Sequence, residues 1–218
     1  MEPFTRLQAT AVALDIANID TGMIIPGRFM RKRRRKGEAT YAQAFLHDLR
    51  FDAQGSLRAD CVLNDPAFAG AQILITAADF GCGSSREGAA YAVLDYGFRA
   101  LIGPSFGDIF YGNCLQNGLL PVVLNEARVE HLRALVRSDP RTCITIDLAA
   151  QTVTGPDGTR FDFAIDPTRK QRLLAGLDDV GVTLSHLAAI EAFEATHRAS
   201  MPWLVDFAPN HRAPPGRR

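Results

Sequence analysis

One short segment of the chain carries a thiol, two hydroxyls, a guanidinium and two glycines within nine residues. This segment is Asp79-Phe80-Gly81-Cys82-Gly83-Ser84-Ser85-Arg86-Glu87. It follows an apolar run typical of a buried strand and precedes a stretch that predicts a helix. Such a turn leaves backbone N–H groups without partners, and together with the helix dipole they attract an anion. Since Arg86 can hold a carboxylate through two parallel hydrogen bonds, the segment predicts recognition of a small carboxylic acid.

The two serines also have a purely structural interpretation. Ser84 and Ser85 could cap the following helix, with Glu87 completing a capping box. Gly81 and Gly83 favour a ligand instead, because glycine lets a ligand approach the backbone closely. The glycine spacing fits neither a phosphate loop nor a dinucleotide-binding fingerprint. Both interpretations of the serines stay open at this point.

Hydrophobic periodicity and turn residues predict an α/β fold with the segment between a strand and a helix. The predicted strands cover residues 9–17, 71–78, 99–102, 121–124, 143–153 and 160–165. The predicted helices cover residues 89–96, 107–116, 126–137, a segment that begins at Asp166-Pro167, and 184–197. The turn Gly155-Pro156-Asp157-Gly158 predicts a hairpin between the last two strands.

Composition excludes several classes of protein. Lys plus Arg equal Asp plus Glu at 24 each, so the overall charge favours neither nucleic acid nor membrane as a partner. An apolar run that could span a bilayer and a signal-peptide core are both missing from the sequence, which predicts a cytoplasmic protein. The four cysteines and five histidines are scattered and give no compact ligand set, so we predict no metal site in this chain.

The order of motifs resembles a known family. Gly83-Ser84-Ser85-Arg86-Glu87 after a strand is similar to the signature of the aconitase superfamily's swivelling domain. The surrounding motifs resemble those of 3-isopropylmalate dehydratase small subunits, and the likeness covers roughly residues 7 to 195. These motifs are Asn18–Pro26, Asp95–Phe98, Pro104–Phe106, Asp108–Asn113, Asn117–Pro121 and Gly176–Leu184.

The resemblance implies a fold and an assembly. The expected fold is a swivelling β/β/α domain with C-terminal helices, a single domain over residues 1–197, with a loosely ordered tail over 198–218. The expected protein is one subunit of a heterodimer. The chain itself would hold no cofactor, and a large subunit would carry a 4Fe-4S cluster.

The expected reaction is that of a hydro-lyase acting on a 2-hydroxy dicarboxylic acid, which interconverts 3-isopropylmalate and 2-isopropylmalate in leucine biosynthesis. Small subunits of related dehydratases, of the citramalate or dimethylmalate type, are the alternatives within this class. An RNA-binding aconitase-like regulatory module is an alternative from a different class.

The resemblance also implies roles for individual residues. Ser84 matches the serine that removes a proton next to a carboxylate, and the backbone N–H groups from Gly83 onward could stabilise its alkoxide. Ser85 and Arg86 match positions that bind the substrate carboxylate, and Gly83 is expected to bind the substrate beside them. A second set is expected in the loop near the substrate or the partner, namely Asn18, Asp20, Thr21 and Arg28.

Three positions depart from the resembled pattern. Glycine stands at positions 22, 27 and 88, where aspartate, lysine and histidine are usual, and this leaves the particular acid open.

The basic run Arg31–Lys36 predicts either a solvated loop or a surface that attracts dianionic substrates or an acidic partner. Nucleic-acid binding by this run is disfavoured, because no aromatic residues are interleaved with its charges.

Overall fold

The structure is a computed structural model that describes residues 1–31, 34 and 40–204. The greater part of the basic run Arg31–Lys36, and the tail from residue 205 onward, lie outside the described residues. The chain forms two compact units, which cover Met1–Asp178 and Asp179–Arg218.

A sheet of seven strands organises the described part of the first unit, in the order β4-β3-β2-β1-β5-β6-β7. The strands are β1 (Arg6–Leu14), β2 (Ile73–Thr76), β3 (Ala100–Gly103), β4 (Leu120–Val123), β5 (Cys143–Asp147), β6 (Thr152–Thr154) and β7 (Arg160–Asp162). Strands β1 to β4 pair in parallel, whereas β5 to β7 continue the sheet antiparallel from the other side of β1. The α/β fold class is confirmed.

Helices follow the parallel strands and also form the second unit. In the first unit they are α1 (Thr21–Ile24), α2 (His47–Arg50), α3 (Glu87–Tyr96), α4 (Asp108–Gln116), α5 (Glu126–Ser138) and α6 (Pro167–Ala175). The second unit contains α7 (Asp179–Leu184) and α8 (Leu187–Ser200). Short 3-10 turns cover Gly27–Arg31, Val62–Asn64, Pro66–Phe68 and Pro202–Leu204. Among the described residues, every helix is too short or too polar to cross a membrane.

The interior strand β2 is buried on both faces, which explains its nearly continuous apolar sequence. Leu74 packs in one core cluster together with residues of α3, such as Val93. Ile73 and Ile75 point to the opposite face and pack in a second cluster that contains Val129 of α5. Because successive side chains of β2 point to opposite faces, this strand is packed in both clusters. Its position, and hence the start of the loop that follows it, is fixed from both sides.

Several predicted boundaries are wrong. The predicted strand 143–153 is two strands, β5 and β6, because the chain turns at residues 148–151 with Gln151 at a φ of 55°. The Asp147 carboxylate accepts from the Ala150 N–H and closes this turn, which the apolar residues Leu148 and Ala149 conceal in the sequence. The predicted helix 184–197 corresponds to α8, which begins at Leu187 and ends at Ser200, whereas the sequence does not predict the preceding helix α7.

A glycine contact fixes the loop that follows β2. Gly81 has a φ of 78°, and a Cβ built on it would lie 2.7 Å from Phe110 Cβ and closer still to the ring. Because Phe110 is buried in the core beneath the loop, neither partner has room to move away. The sequence of the loop is thus constrained both by backbone conformation and by packing.

We predict that Gly81→Ala lowers the free energy of unfolding by about 2–5 kcal/mol, the sum of a left-handed backbone penalty and overpacking. Gly55→Ala is the matched control, since Gly55 has a φ of 82° but nothing within 4 Å of its Cβ position. Urea unfolding of both variants measures the difference. Equal losses in the two variants would show that the Phe110 contact carries no energetic weight.

Candidate active site

Loops from three neighbouring strands meet at the carboxyl edge of the parallel sheet. The Thr21 N–H after β1 donates to the carbonyl of Cys82 after β2 at 3.0 Å. The Gly107 N–H after β3 donates to the carbonyl of Phe80 at 3.0 Å. In open α/β sheets, ligands bind in the crevice at this edge, so the contacts place the predicted motif where such a crevice forms.

Ser84 is held by a buried threonine from the neighbouring loop. Its Oγ lies 2.8 Å from Thr21 Oγ1, and Thr21 Oγ1 is also 3.2 Å from the carbonyl oxygen of Ser84. Thr21 is 1% exposed, whereas Ser84 is exposed to solvent. The threonine therefore orients a hydroxyl that stays open to a ligand.

The interpretation of the two serines as helix caps is wrong. Helix α3 begins at Glu87, and its N-cap is Arg86, which makes no side-chain capping hydrogen bond. Glu87 does not complete a capping box either, since its carboxylate accepts instead from the amide of Asn117 at 3.1 Å. The hydroxyls of Ser84 and Ser85 are consequently not used to cap the helix.

The backbone of the same loop forms a concave set of donors. Gly83 has a φ of 88°, which turns the chain ahead of the helix. Within the described part of the chain, the N–H groups of Gly83, Ser84, Ser85 and Arg86 donate to no protein acceptor. Successive free N–H groups at a helix start are suited to a carboxylate or phosphate oxygen.

A cavity of about 390 Å³ opens beside this loop. Its lining consists of Asp20, Gly22, Met23, Asp48, Leu49 and Arg86. Arg86 is partly buried and makes no ion pair with any residue that the structure describes. A guanidinium at the wall of a cavity, without an internal partner, can bind a carboxylate in two-point geometry.

The predicted loop residues Asn18 and Asp20 stabilise the conformation of the loop after β1. Asn18 has a φ of 57°, and its N–H donates to the carbonyl of Ala78 at 2.9 Å. The Asp20 carboxylate caps α1 by accepting from the N–H groups of Gly22 and Met23 at 2.6 and 2.9 Å. Both residues hold the shape of the loop, and Asp20 also lines the cavity.

Arg28 forms an ion pair with Asp48, which also lines the cavity. The hydrogen bond from Arg28 holds the pKa of the Asp48 carboxyl below its ordinary value. The guanidinium of Arg28 also stacks over Phe29 at 4.7 Å. Sequence reasoning missed Asp48 and Leu49, because they come from the short helix α2, whose residues carry no recognisable motif.

Arg34, inside the predicted basic run, is attached to α3. Its guanidinium lies 2.8 Å from the carboxylate of Asp95, whose side chain is 5% exposed, and 4.3 Å from the ring centre of Tyr91. The Tyr41 N–H also donates to Asp95 at 3.0 Å. Arg34 is thus committed to a structural contact, while Arg31 is exposed in a 3-10 turn.

Gly88 and Gly27, two of the three departures from the resembled pattern, differ in their surroundings. A Cβ at Gly88 would lie 3.2 Å from Met30 Sδ, so this glycine packs against the loop after β1. A Cβ at Gly27 would meet nothing within 4 Å. Position 88 is therefore sterically restricted, whereas position 27 is open.

The described residues do not fit a metal cluster. Across residues 1–31, 34 and 40–204, no three His, Cys, Asp or Glu side chains come together as a metal site. Cys61, Cys82, Cys114 and Cys143 are separate free thiols. An iron–sulfur cluster needs several thiolates in one place, and this part of the chain does not supply them.

Comparison with protein families agrees with the fold. The model of the aconitase C-terminal domain matches residues 1–127, which contain the parallel strands and the loops just described. A model described as LeuD_N matches residues 130–167. The model of the C-terminal domain of the 3-isopropylmalate dehydratase small subunit matches residues 179–207. The class of protein is thus that of aconitase-type C-terminal domains.

Individual relatives narrow the class. The 3-isopropylmalate dehydratase small subunit of Phenylobacterium zucineum is 48% identical over 94% of this chain and 98% of its own length. The protein of the same name from Dinoroseobacter shibae is 45% identical over 94% of this chain and 100% of its own. The chain belongs to the 3-isopropylmalate dehydratase small subunit family.

A solved structure supports the fold. The structure of 3-isopropylmalate dehydratase from Methanocaldococcus jannaschii superposes with a TM-score of 0.61 at 21% identity. It covers 87% of this chain and 99% of that one. The predicted aconitase-type fold is confirmed.

We predict that Asp95→Asn lowers the free energy of unfolding by about 1–3 kcal/mol, because it weakens charge-assisted hydrogen bonds at a buried site. Asp60→Asn is the control, since the Arg58–Asp60 pair has similar geometry but Asp60 is 70% exposed. Exposed pairs contribute little, so we expect its unfolding midpoint to stay unchanged. An unchanged midpoint for Asp95→Asn in urea would contradict the anchoring role of the Arg34–Asp95 pair.

Proposed function

We propose that this chain is the small subunit of a hydro-lyase that interconverts 3-isopropylmalate and 2-isopropylmalate in leucine biosynthesis. Family membership supports this function, because relatives that match most of the chain carry the dehydratase name. The observation that carries it is that the adjacent residues Thr21 and Gly22 contact the Ser84 hydroxyl and the Arg86 guanidinium, which lines the cavity and makes no ion pair among the described residues. A hydroxyl base and a carboxylate-binding guanidinium are what proton removal next to a carboxylate requires.

Ser84 is assigned the role of base. As the alkoxide, its Oγ would take the proton from the carbon next to a substrate carboxylate, and the electron pair of that C–H bond would form the new C=C bond. The substrate hydroxyl would leave with the C–O bond electrons as hydroxide, for which the cluster of the large subunit would supply the Lewis acid. A serine alkoxide needs electrostatic support, and the free N–H groups of Gly83 to Arg86 are placed on the same loop to supply it. The Thr21 hydroxyl at 2.8 Å can donate to the same oxygen.

Arg86 and Ser85 are assigned to the substrate carboxylate. Arg86 would hold it bidentately, and the Ser85 hydroxyl and the Gly83 N–H would complete the site. Asn18, Asp20 and Thr21 shape the neighbouring loop, and Arg28 holds Asp48 at the cavity wall. Fixing the carboxylate would place the adjacent carbon against Ser84, which is the positional part of the catalysis.

A large subunit is the proposed partner, since the relatives are named as small subunits. We place the 4Fe-4S cluster implied by the aconitase resemblance in that subunit, because the described part of this chain has no suitable set of ligands. Heterodimer formation in the cytoplasm is part of the same proposal. Neither subunit alone would then contain a complete active site.

Other 2-hydroxy dicarboxylic acids are the second candidate substrates. Glycine at position 22 leaves the cavity beside Arg86 larger and less acidic than an aspartate would. Because aspartate is usual at this position in the family, its absence makes citramalate and dimethylmalate the acids to test beside 3-isopropylmalate. Co-expression with a cognate large subunit, anaerobic purification and assay of all three acids tests the proposal. Activity of this chain without a partner, or inactivity of the assembled complex on every acid, would overturn it.

We predict that Ser84→Ala slows the chemical step in the assembled enzyme by about 100-fold or more, because the base is removed. The fold and subunit assembly should persist, since Ser84 is exposed and does not cap α3. Steady-state kinetics and thermal unfolding on one preparation measure both quantities. Near-normal turnover in this variant would remove Ser84 from the reaction.

We predict that Arg86→Lys raises KM and lowers kcat/KM at least about tenfold, since lysine keeps the charge but loses the planar two-point contact. Arg58→Lys is a suitable control, because Arg58 pairs only with exposed Asp60 among the described carboxylates. Kinetics with 3-isopropylmalate compare the two variants. Wild-type kinetics for Arg86→Lys would mean that the guanidinium does not bind substrate.

A further inference from the structure

Position 22 lies directly against the guanidinium of Arg86. A Cβ built on Gly22 would be 2.8 Å from Arg86 Nη1 and 3.0 Å from Asp20 Oδ1. The first distance is shorter than any ordinary van der Waals contact, so Arg86 occupies space that a side chain at position 22 would need. The guanidinium therefore lies against bare backbone in the loop that follows β1.

Backbone conformation does not explain the glycine. Gly22 lies within helix α1 and is absent from the residues with positive φ. In a helix, glycine is less favourable than alanine, because it loses more conformational freedom on folding. The property of Gly22 that matters at this position is thus its missing side chain.

The carboxylates near Arg86 are engaged by other groups. The Asp20 carboxylate accepts from two N–H groups of α1, and the Asp48 carboxylate is paired with Arg28. Among the described residues, no carboxylate forms an ion pair with Arg86. An aspartate at position 22 would place a carboxylate within pairing distance of this guanidinium and would compete with a ligand.

We propose that Gly22 is a specificity-determining residue of this chain. Because Gly22 carries no side chain, the Arg86 guanidinium lies across the loop without an ion pair among the described residues, which favours ligands that bring a carboxylate into the cavity beside it. The inference builds on the carboxylate-binding role assigned to Arg86 under the proposed function. It adds that position 22 sets how strongly that carboxylate is bound.

The test compares substitutions that differ only in charge. Gly22→Asp introduces a carboxylate, and Gly22→Asn adds nearly the same volume without charge. Gly27→Ala is the control for adding a side chain to the same region, since its Cβ would meet nothing within 4 Å and its φ is not positive. The clash at position 22 involves the tip of a flexible side chain, so we expect all three variants to fold, and thermal unfolding verifies this.

The first experiment uses the full chain with malonate as the probe. The Arg86 side-chain Nε–Hε resonance, assigned by its loss in Arg86→Lys, follows malonate binding by NMR. We expect Gly22→Asp to weaken malonate binding about threefold or more relative to Gly22→Asn, the size typical of one partly exposed charge pair. Gly27→Ala should leave the affinity unchanged. Equal affinities for Gly22→Asp and Gly22→Asn, or a wild-type Arg86 resonance that does not respond to malonate, would overturn the proposal.

The second experiment uses the enzyme assembled with its large subunit and measures KM for 3-isopropylmalate. Gly22→Asp should raise KM more than Gly22→Asn does. When Arg86→Gln is added to both variants, calorimetry should show equal affinities of the two for 3-isopropylmalate. A difference in affinity that persists without Arg86 would contradict the claim that position 22 acts through this guanidinium. If the wild-type complex is inactive while the malonate difference is present, the proposed function fails and the role of Gly22 stands. If the complex is active while both Gly22 variants behave alike, the role of Gly22 fails and the function stands.

Discussion

The crossing of two loops at the carboxyl edge of the sheet is the constraint on which the candidate site depends. The Gly81 N–H donates to the carbonyl of Ile19, in the loop after β1, at 2.7 Å. In the other direction, the Thr21 N–H of that loop donates to the carbonyl of Cys82 at 3.0 Å. These backbone bonds join two segments that lie far apart in the chain. They bring the Thr21 hydroxyl against Ser84, and they place Gly22 beneath Arg86.

A buried cationic residue supports this edge from the opposite face of the sheet. Arg133 of α5 is 5% exposed and donates to the carbonyl of Thr76, the last residue of β2. Its guanidinium also lies 3.5 Å from Asp15 and 3.3 Å from Glu130, and Arg137 pairs with both carboxylates at 2.8 Å. A buried charge is tolerated when it is paired, and here its partners connect α5 to the ends of β1 and β2. The loops of the site therefore start from strand ends whose positions are fixed on both faces.

Sequence alone could predict the parts of this arrangement that are local. The apolar run of β2, the glycines before α3 and the Asp166-Pro167 start of α6 each determine structure within a few residues, and the structure has them. Residues that act through long-range contacts could not be found in this way. Asp48 reaches the cavity from the short helix α2, which carries no motif. The contact between Thr21 and Ser84 joins residues 63 positions apart, which local patterns cannot reveal.

The same distinction explains the wrong boundaries. Periodicity carries no sign of the turn between β5 and β6, because the turn begins with the apolar residues Leu148 and Ala149 and is closed by one hydrogen bond to Asp147. Local patterns predict which face of an element is buried, whereas the ends of elements depend on contacts with distant parts of the chain. The sequence identifies the motif residues, whereas the distances between their side chains are known only from the structure.

The central claim is that this chain contributes Ser84 and Arg86 to an active site shared with a large subunit. The most direct measurement is a structure of the assembled enzyme with 3-isopropylmalate bound. The account predicts one ligand carboxylate within hydrogen-bonding distance of the Arg86 guanidinium and of the free N–H groups of Gly83 to Arg86, with Ser84 Oγ facing the adjacent carbon. A ligand enclosed by the large subunit alone, with Ser84 and Arg86 out of contact, would contradict it.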